Sequence, residues 1–373
     1  MAITNKDRLQ KEKAIRFCIS NKLIPYLEVN VSNVKEISQN NAVLTDIDVL
    51  GIEITNHRKV RKVIFDCKTL DTSPINRAFW AGGLMNYTSC DEAFIILRKK
   101  VEDAHKLSAK SINIHLFSEE LFDSYAEANN IDYLDKSSYA ADINTWYQYL
   151  TLFKNQRKFE GLGDYINNQL PLENDYAKAL RGILANVKEI RGEMNPSKDQ
   201  HLSIYTNLIM SLCLVLSPIV TDMINIFDPS YSKDYLEKML RYYIWGGRDS
   251  YLLRKKINEL MAAQNEQISS ELELANWSEF VELVITLLEA PTHLGLCCIP
   301  LREISLRYLT SITQSADLLI FERLNESNRI RQFIFKISSY FINATGLPKD
   351  FDIKFRNVIN ELMAIEYKTS SNF

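Results

Sequence analysis

The chain has 373 residues, 46 % of them hydrophobic and 24 % charged, with 44 Lys and Arg against 47 Asp and Glu for a formal net charge of −3. These averages exclude a disordered, collagen-like or low-complexity chain, and the absence of a basic excess means that any nucleic-acid surface must be a confined patch. The length leads us to expect two domains, with room for three, and 11 glycines, about 3 % against a usual ~7 %, point to long helices.

Residues 5–22 read as a first helix with Asn5 as its cap. In 25–31, Leu27, Val29 and Val31 alternate onto one face, which predicts a strand. Segments 43–54 and 60–68 alternate again and are rich in β-branched residues, so the three strands are close enough for an antiparallel meander. Ser73 and Pro74 open a helix that runs to about Tyr87. Strand 93–97, helix 99–109, strand 111–117 and helix 118–129, capped by Ser118, complete an αβββαβαβα order. That order predicts a mixed sheet covered on both faces.

The texture changes near residue 130. From 139 on, apolar residues recur at spacings of three and four, as in Trp146, Tyr149, Leu150 and Phe153, and predict eight to ten helices before residue 367. Segments 217–219, which read as a helix start or a kink, 228–230, 276–279 and 347–351 carry helix-start signals. We therefore expect an α/β domain over 1–130 followed by an all-α helical domain over 131–373. The most apolar run, 208–220, has 13 residues, fewer than the ~20 of a membrane span, and predicts a buried helix. The six cysteines form no CxxC pair and the N-terminus carries no apolar signal core. Reduced cysteines, a cytoplasmic location and no membrane association are the expectations.

The chemistry-bearing residues lie on the second and third strands. Asp66 and Lys68 are two apart in IlePheAspCysLys and share a face, as do Asp46 and Asp48 in ThrAspIleAspValLeu. If the two strands form a hairpin, two carboxylates and an ammonium meet at its end. Carboxylates are hard ligands suited to Mg²⁺. A lysine beside them can orient or deprotonate a water, and gives up its proton more readily when partly buried near cations. The plain structural alternative is an exposed cross-strand ion pair worth a few tenths of a kcal/mol. Against it stands the strongly apolar run Val63, Ile64 and Phe65, where charges are seldom placed without purpose.

Asp48, followed after a strand and a turn by Asp66-Cys67-Lys68, resembles the PD-(D/E)XK signature of the restriction-endonuclease-like nuclease superfamily, and the αβββαβ order is similar to that family's core. AspIleAspValLeu with ValIlePheAspCysLysThr resembles its Mrr-like and resolvase-like branches. The likeness covers about residues 5–130. It implies a metal-dependent DNA endonuclease in which Asp48, Asp66 and the backbone carbonyl of Cys67 hold Mg²⁺ or Mn²⁺ and Lys68 aligns the attacking water. It further implies a glutamate from the first helix or strand, for which Glu12 and Glu28 are the candidates. The sequence departs from the pattern in placing Ile47 before Asp48 and an aspartate at 66, and Asp46 competes with Asp48 for the metal. The contrasting expectation is a catalytically silent scaffold, binding nucleic acid or protein.

Arg58, Lys59 and Arg61 in the basic segment 57–62, and Arg77 on the following helix, are candidate phosphate contacts; the segment reads equally as a solvated turn. Basic clusters at 248–256 and 323–336 are as readily explained as helix surface. The helical domain offers a surface for substrate, a partner protein or a second copy of the chain.

Overall fold

A computed structural model describes residues 7–33, 42–54, 60–69, 73–226, 232–264 and 272–365. The chain forms two compact units, one of residues 1–172 with 302–320 and one of residues 173–301 with 321–373. The change of texture at residue 130 thus falls inside the first unit.

In chain order the first unit contains α1 (Arg8–Ser20), β1 (Ile24–Ser32), β2 (Val43–Ile54), β3 (Val60–Lys68), α2 (Pro74–Thr88), β4 (Glu92–Leu97), α3 (Asp103–Lys110), β5 (Ile114–Ser118) and α4 (Glu119–Asn129). The sheet order is β1-β2-β3-β4-β5, with an antiparallel meander β1–β3 and parallel pairs β3–β4 and β4–β5. The expected order of elements and mixed sheet are therefore present. Ser73 is the N-cap residue of α2 and Pro74 its first position, while Ser118 caps α4 by accepting from the Leu121 N–H. Asn5 lies outside the described residues. Residues 111–113, expected in a strand, instead close α3, with Asn113 in a left-handed conformation at φ 59°.

Phe17 of α1 packs against Phe65, Phe94 and Phe122, which joins α1 and α4 to one face of the sheet. Gly51 permits the approach of α1: a Cβ there would lie 2.9 Å from Cys18 Sγ and 2.9 Å from Leu23 Cδ2. On the opposite face, Gly82 of α2 lies over Ile114.

Two helices, α5 (Ile143–Lys154) and α6 (Arg157–Asp164), followed by a π-helical turn at Tyr165–Gln169, belong to the same unit. Buried polar contacts hold this extension. Glu303 accepts from Ser138 Oγ at 2.5 Å and Ala140 N at 3.2 Å, and the Arg302 guanidinium lies among Tyr26, Trp146 and Tyr149. Sequence periodicity carries no record of such long-range pairs, so the unit's full extent was not legible from texture.

The second unit is built from α7 (Tyr176–Ile190), α8 (Asp199–Ile226), α9 (Lys233–Ile244), α10 (Arg248–Gln264), α11 (Trp277–Leu288), α12 (His293–Leu296), α15 (Asn328–Thr345) and α16 (Asp350–Met363). Two further helices, α13 (Cys298–Arg307) and α14 (Gln314–Asn325), have residues in both units. Twelve α-helices thus lie between 143 and 363 among the described residues, more than the eight to ten expected. Periodicity does not resolve a four-residue helix such as α12 or a break such as Gly246-Gly247, whose φ values of 81° and 102° end α9.

Of the two readings of 217–219 a helix start is excluded, because α8 runs through Pro218. Every residue from His201 to Thr221 is buried, so the apolar run is the axis of this unit's core. By length and composition α8 could cross a membrane, but 78 % of its most apolar window is buried within the protein. Residues 228–230 lie outside the described segments, whereas α11 and α16 start close to their expected signals.

Candidate functional site: a buried carboxylate and ammonium cluster

The ladder between β2 and β3 runs from Ile54 opposite Val60 to Val49 opposite Phe65 and then ends, one step before Asp48 and Asp66. β3 itself continues beside β4 as far as Lys68. Beyond that last pair the Cys67 N–H donates to Asp48 Oδ2 at 2.9 Å. A side-chain carboxylate thus satisfies a backbone donor that would otherwise need a carbonyl. Asp48 and Asp66 are 5 % and 3 % exposed.

Lys68 Nζ lies 3.0 Å from Asp48 Oδ2 and 3.3 Å from Asp66 Oδ1, so one ammonium joins the two carboxylates. Arg77 of α2 grips Asp66 with both ends of its fork, Nε to Oδ2 at 2.6 Å and Nη2 to Oδ1 at 2.5 Å. Its guanidinium lies over Trp80 at 3.5 Å. From α1, Lys11 Nζ lies 3.2 Å from Asp48 Oδ1 and 3.1 Å from Glu28 Oε1. Just past Lys68, Thr69 is tied to the start of α1, its N–H donating to Asp7 Oδ1 at 2.6 Å.

Glu28 sits in β1 at φ 53°, a left-handed conformation rare for a non-glycine residue inside a strand. The β1–β2 pairing steps over it, from Leu27 opposite Val49 to Val29 opposite Ile47. Such a conformation costs about 1–3 kcal/mol and is concentrated at functional sites.

Three carboxylates (Glu28, Asp48, Asp66) thus meet three cations (Lys11, Lys68, Arg77), and each oxygen of Asp48 and Asp66 has a cationic partner. Burial pulls the Lys68 ammonium toward neutrality, but Asp66 and Asp48 outweigh it and hold its pKa above the ordinary lysine value. Burial acts the same way on Lys11, and Asp48 and Glu28 again outweigh it. With no divalent cation beside it, Lys68 is thus held toward the ammonium form, the opposite of a lysine that gives up its proton readily. Burial, reinforced by Asp48 and Asp66, pushes the Cys67 thiol far up.

Asp48, Asp66 and Lys68 converge as expected from the sequence, and Glu28 joins them through Lys11. Glu12 does not; it pairs with Arg8 at 3.2 Å along α1. Asp46 is exposed, opposite Asn30, and lines a separate cavity. Arg61 is held by Glu53 at 2.6 Å and by Glu92. Arg58 and Lys59 lie outside the described residues. Lys11 was missed, although its spacing to Ala14, Ile15 and Cys18 places it on the buried face of α1. A lysine on that face was the available signal.

Among the described residues no group of three or more His, Cys, Asp or Glu is gathered for a metal ion. Mg²⁺, however, characteristically takes only one or two protein carboxylates together with waters and substrate oxygens. Asp48 and Asp66 are oxygen donors of that class, and the Lys68 ammonium between them marks a position where positive charge is stable. The donor chemistry fits a hard divalent cation, on condition that it competes with Lys11, Lys68 and Arg77 for the same oxygens. Comparisons of the chain with protein-family models, curated proteins and solved structures return no significant match.

Proposed function

We propose that the chain is a metal-dependent nuclease of the restriction-endonuclease-like kind, hydrolysing phosphodiester bonds, with DNA as the leading substrate and the cytoplasm as its place of work. One observation carries this reading: two buried carboxylates face each other where β2 parts from β3, joined by a lysine two residues past the second. Burying such ions costs several kcal/mol apiece and stabilises a fold no better than apolar packing would. A cluster of this composition is better accounted for by chemistry than by stability.

In this reading Asp48, Asp66 and the Cys67 carbonyl hold Mg²⁺ or Mn²⁺, which when bound polarises a phosphoryl oxygen and stabilises the charge of in-line displacement. Lys68, being charged, acts as a donor: it fixes the attacking water or a non-bridging oxygen and offsets developing negative charge. Arg77, with 21 % of its side chain exposed, can exchange Asp66 for a phosphate through the same two-pronged fork. The second unit then serves to engage substrate, a partner protein or a second copy of the chain.

The complete neutralisation of the carboxylates by internal cations favours a second reading, a catalytically silent scaffold that binds nucleic acid or protein. Strand scission of plasmid and single-stranded DNA with Mg²⁺ or Mn²⁺, wild type against Lys68→Ala, decides between them. The nuclease reading expects cleavage that falls by about a hundredfold or more in the variant. Cleavage surviving unchanged in the variant sinks the mechanism, and no cleavage of any nucleic acid leaves the scaffold.

A further inference from the structure

Beside the ion cluster, the first unit contains a cavity of about 410 Å³ whose lining includes Glu28, Asp46, Phe153, Glu160, Asn167 and Asn168. Its size falls within the ~300–1,000 Å³ of small-molecule sites. Glu28 belongs to both places: its Oε1 takes the Lys11 ammonium while the residue also lines the cavity.

The groups around this cavity divide into those already bonded and those left free. Asn168 is committed, its Oδ1 accepting from the Asn30 N–H at 2.9 Å and its Nδ2 donating to Asp164 at 2.9 Å. Asn167, its neighbour on the π-helical turn, is 8 % exposed and has no hydrogen-bond partner among the described residues. Its amide atoms are not sealed from solvent and stay open to a ligand in the cavity, and π-helical turns are frequent at functional sites. The exposed carboxylates of Asp46 and Glu160 also line the cavity and have no partner among the described residues. Two large aliphatic side chains at the rim, Val43 and Leu44, are 60 % and 57 % exposed.

The Lys154 ammonium lines the cavity as well, but the carboxylates of Glu28, Asp46, Glu160 and Asp164 outnumber it, so the site suits a ligand rich in N–H donors with an apolar body. Its negative charge turns phosphate away. We propose that this cavity takes a nucleobase bearing an exocyclic amino group, read along its polar edge by Asn167, Asp46 and Glu160, with its face against Leu44. The sugar-phosphate backbone then stays outside, toward the cluster that Glu28 adjoins. Reading an extruded base by edge hydrogen bonds and apolar contact is general chemistry for proteins that act on nucleic acids. The biological ligand rests on the nuclease reading, whereas the pocket's chemistry does not.

The test is calorimetric titration of the full chain with guanosine, adenosine, cytidine and uridine, and with spermidine as a cationic probe lacking a base. The expected result is that an amino-bearing nucleoside binds about tenfold more tightly than uridine. That binding should weaken about tenfold in Asn167→Leu and in the exposed-site variant Asp46→Asn. No nucleoside binding, equal binding of uridine, or binding unchanged in both cavity variants overturns the proposal. So does spermidine binding more tightly than any nucleoside with loss in Asp46→Asn. Nucleoside binding without strand scission leaves the pocket standing and removes the nuclease reading, while scission without nucleoside binding removes the pocket alone.

Discussion

Lys11→Met keeps the length of the side chain and deletes its charge. The ammonium lies 3.1 Å from Glu28 and 3.2 Å from Asp48, on a side chain only 7 % exposed. Deleting one member of a buried ion pair costs about 3–5 kcal/mol, because the partner remains buried without compensation. The lower end applies here. Asp48 keeps Lys68 at 3.0 Å and the Cys67 N–H at 2.9 Å, and Glu28 is 28 % exposed, so water takes up part of its charge. About 3 kcal/mol is a fall of roughly a hundredfold in the folding equilibrium. Urea unfolding followed by fluorescence in a Trp245→Phe, Trp277→Phe background reads the first unit alone, through Trp80 and Trp146.

The pH dependence has a definite sign. Although burial alone would lower it, the Lys11 pKa is raised by Asp48 and Glu28. Its contribution is therefore complete below the unfolded lysine value near 10.4 and is lost as pH rises through the higher folded value. The deficit of the variant should hold constant from pH 7 to about 9 and shrink only above about 10. Adding Glu28→Gln should recover part of the loss by removing one uncompensated charge. A deficit under about 1 kcal/mol at pH 7, the range of an exposed pair, or one that vanishes between pH 7 and 9, means that Lys11 does not compensate buried charge on Asp48 and Glu28.

Three further outcomes follow from the same structure. Because Arg77 occupies both oxygens of Asp66, Arg77→Gln should increase Mn²⁺ affinity several-fold in the absence of nucleic acid, read by electron paramagnetic resonance; unchanged affinity means that these oxygens are not contested. Burial alone would raise the Glu92 carboxyl, but His115 at 2.7 Å and Arg61 outweigh it and hold its pKa below the usual range. Its contribution is present above the unfolded value near 4.3 and lost as pH falls through the lower folded one, so Glu92→Gln should destabilise at pH 7 and converge with wild type in acid. A pH-independent difference contradicts that pairing. A Cβ at Gly163 would lie 2.4 Å from Phe153 Cβ, so Gly163→Ala should cost about 1–3 kcal/mol in thermal unfolding; an unchanged melting temperature shows that α5 and α6 can part freely.

The residues alone were enough for the order of elements from α1 to α4 and for the convergence of Asp48, Asp66 and Lys68. Both follow from short-range rules: a two-residue strand period and a short connection that leaves β2 and β3 little choice but to pair. Which other charges enter the cluster depended on packing between distant elements. Lys11 is separated by 37 residues from Asp48 along the chain, and Arg77 turns inward to Asp66 because α2 starts just beyond β3. Glu12 and Lys11 are adjacent in sequence yet face different surroundings, since consecutive helix residues point about 100° apart. The extent of the first unit was decided in the same way, by Glu303 meeting Ser138 and Ala140 across more than 160 residues. Local periodicity fixes which face of an element is buried; it does not name the partner that covers it, because that choice is made by packing between distant segments.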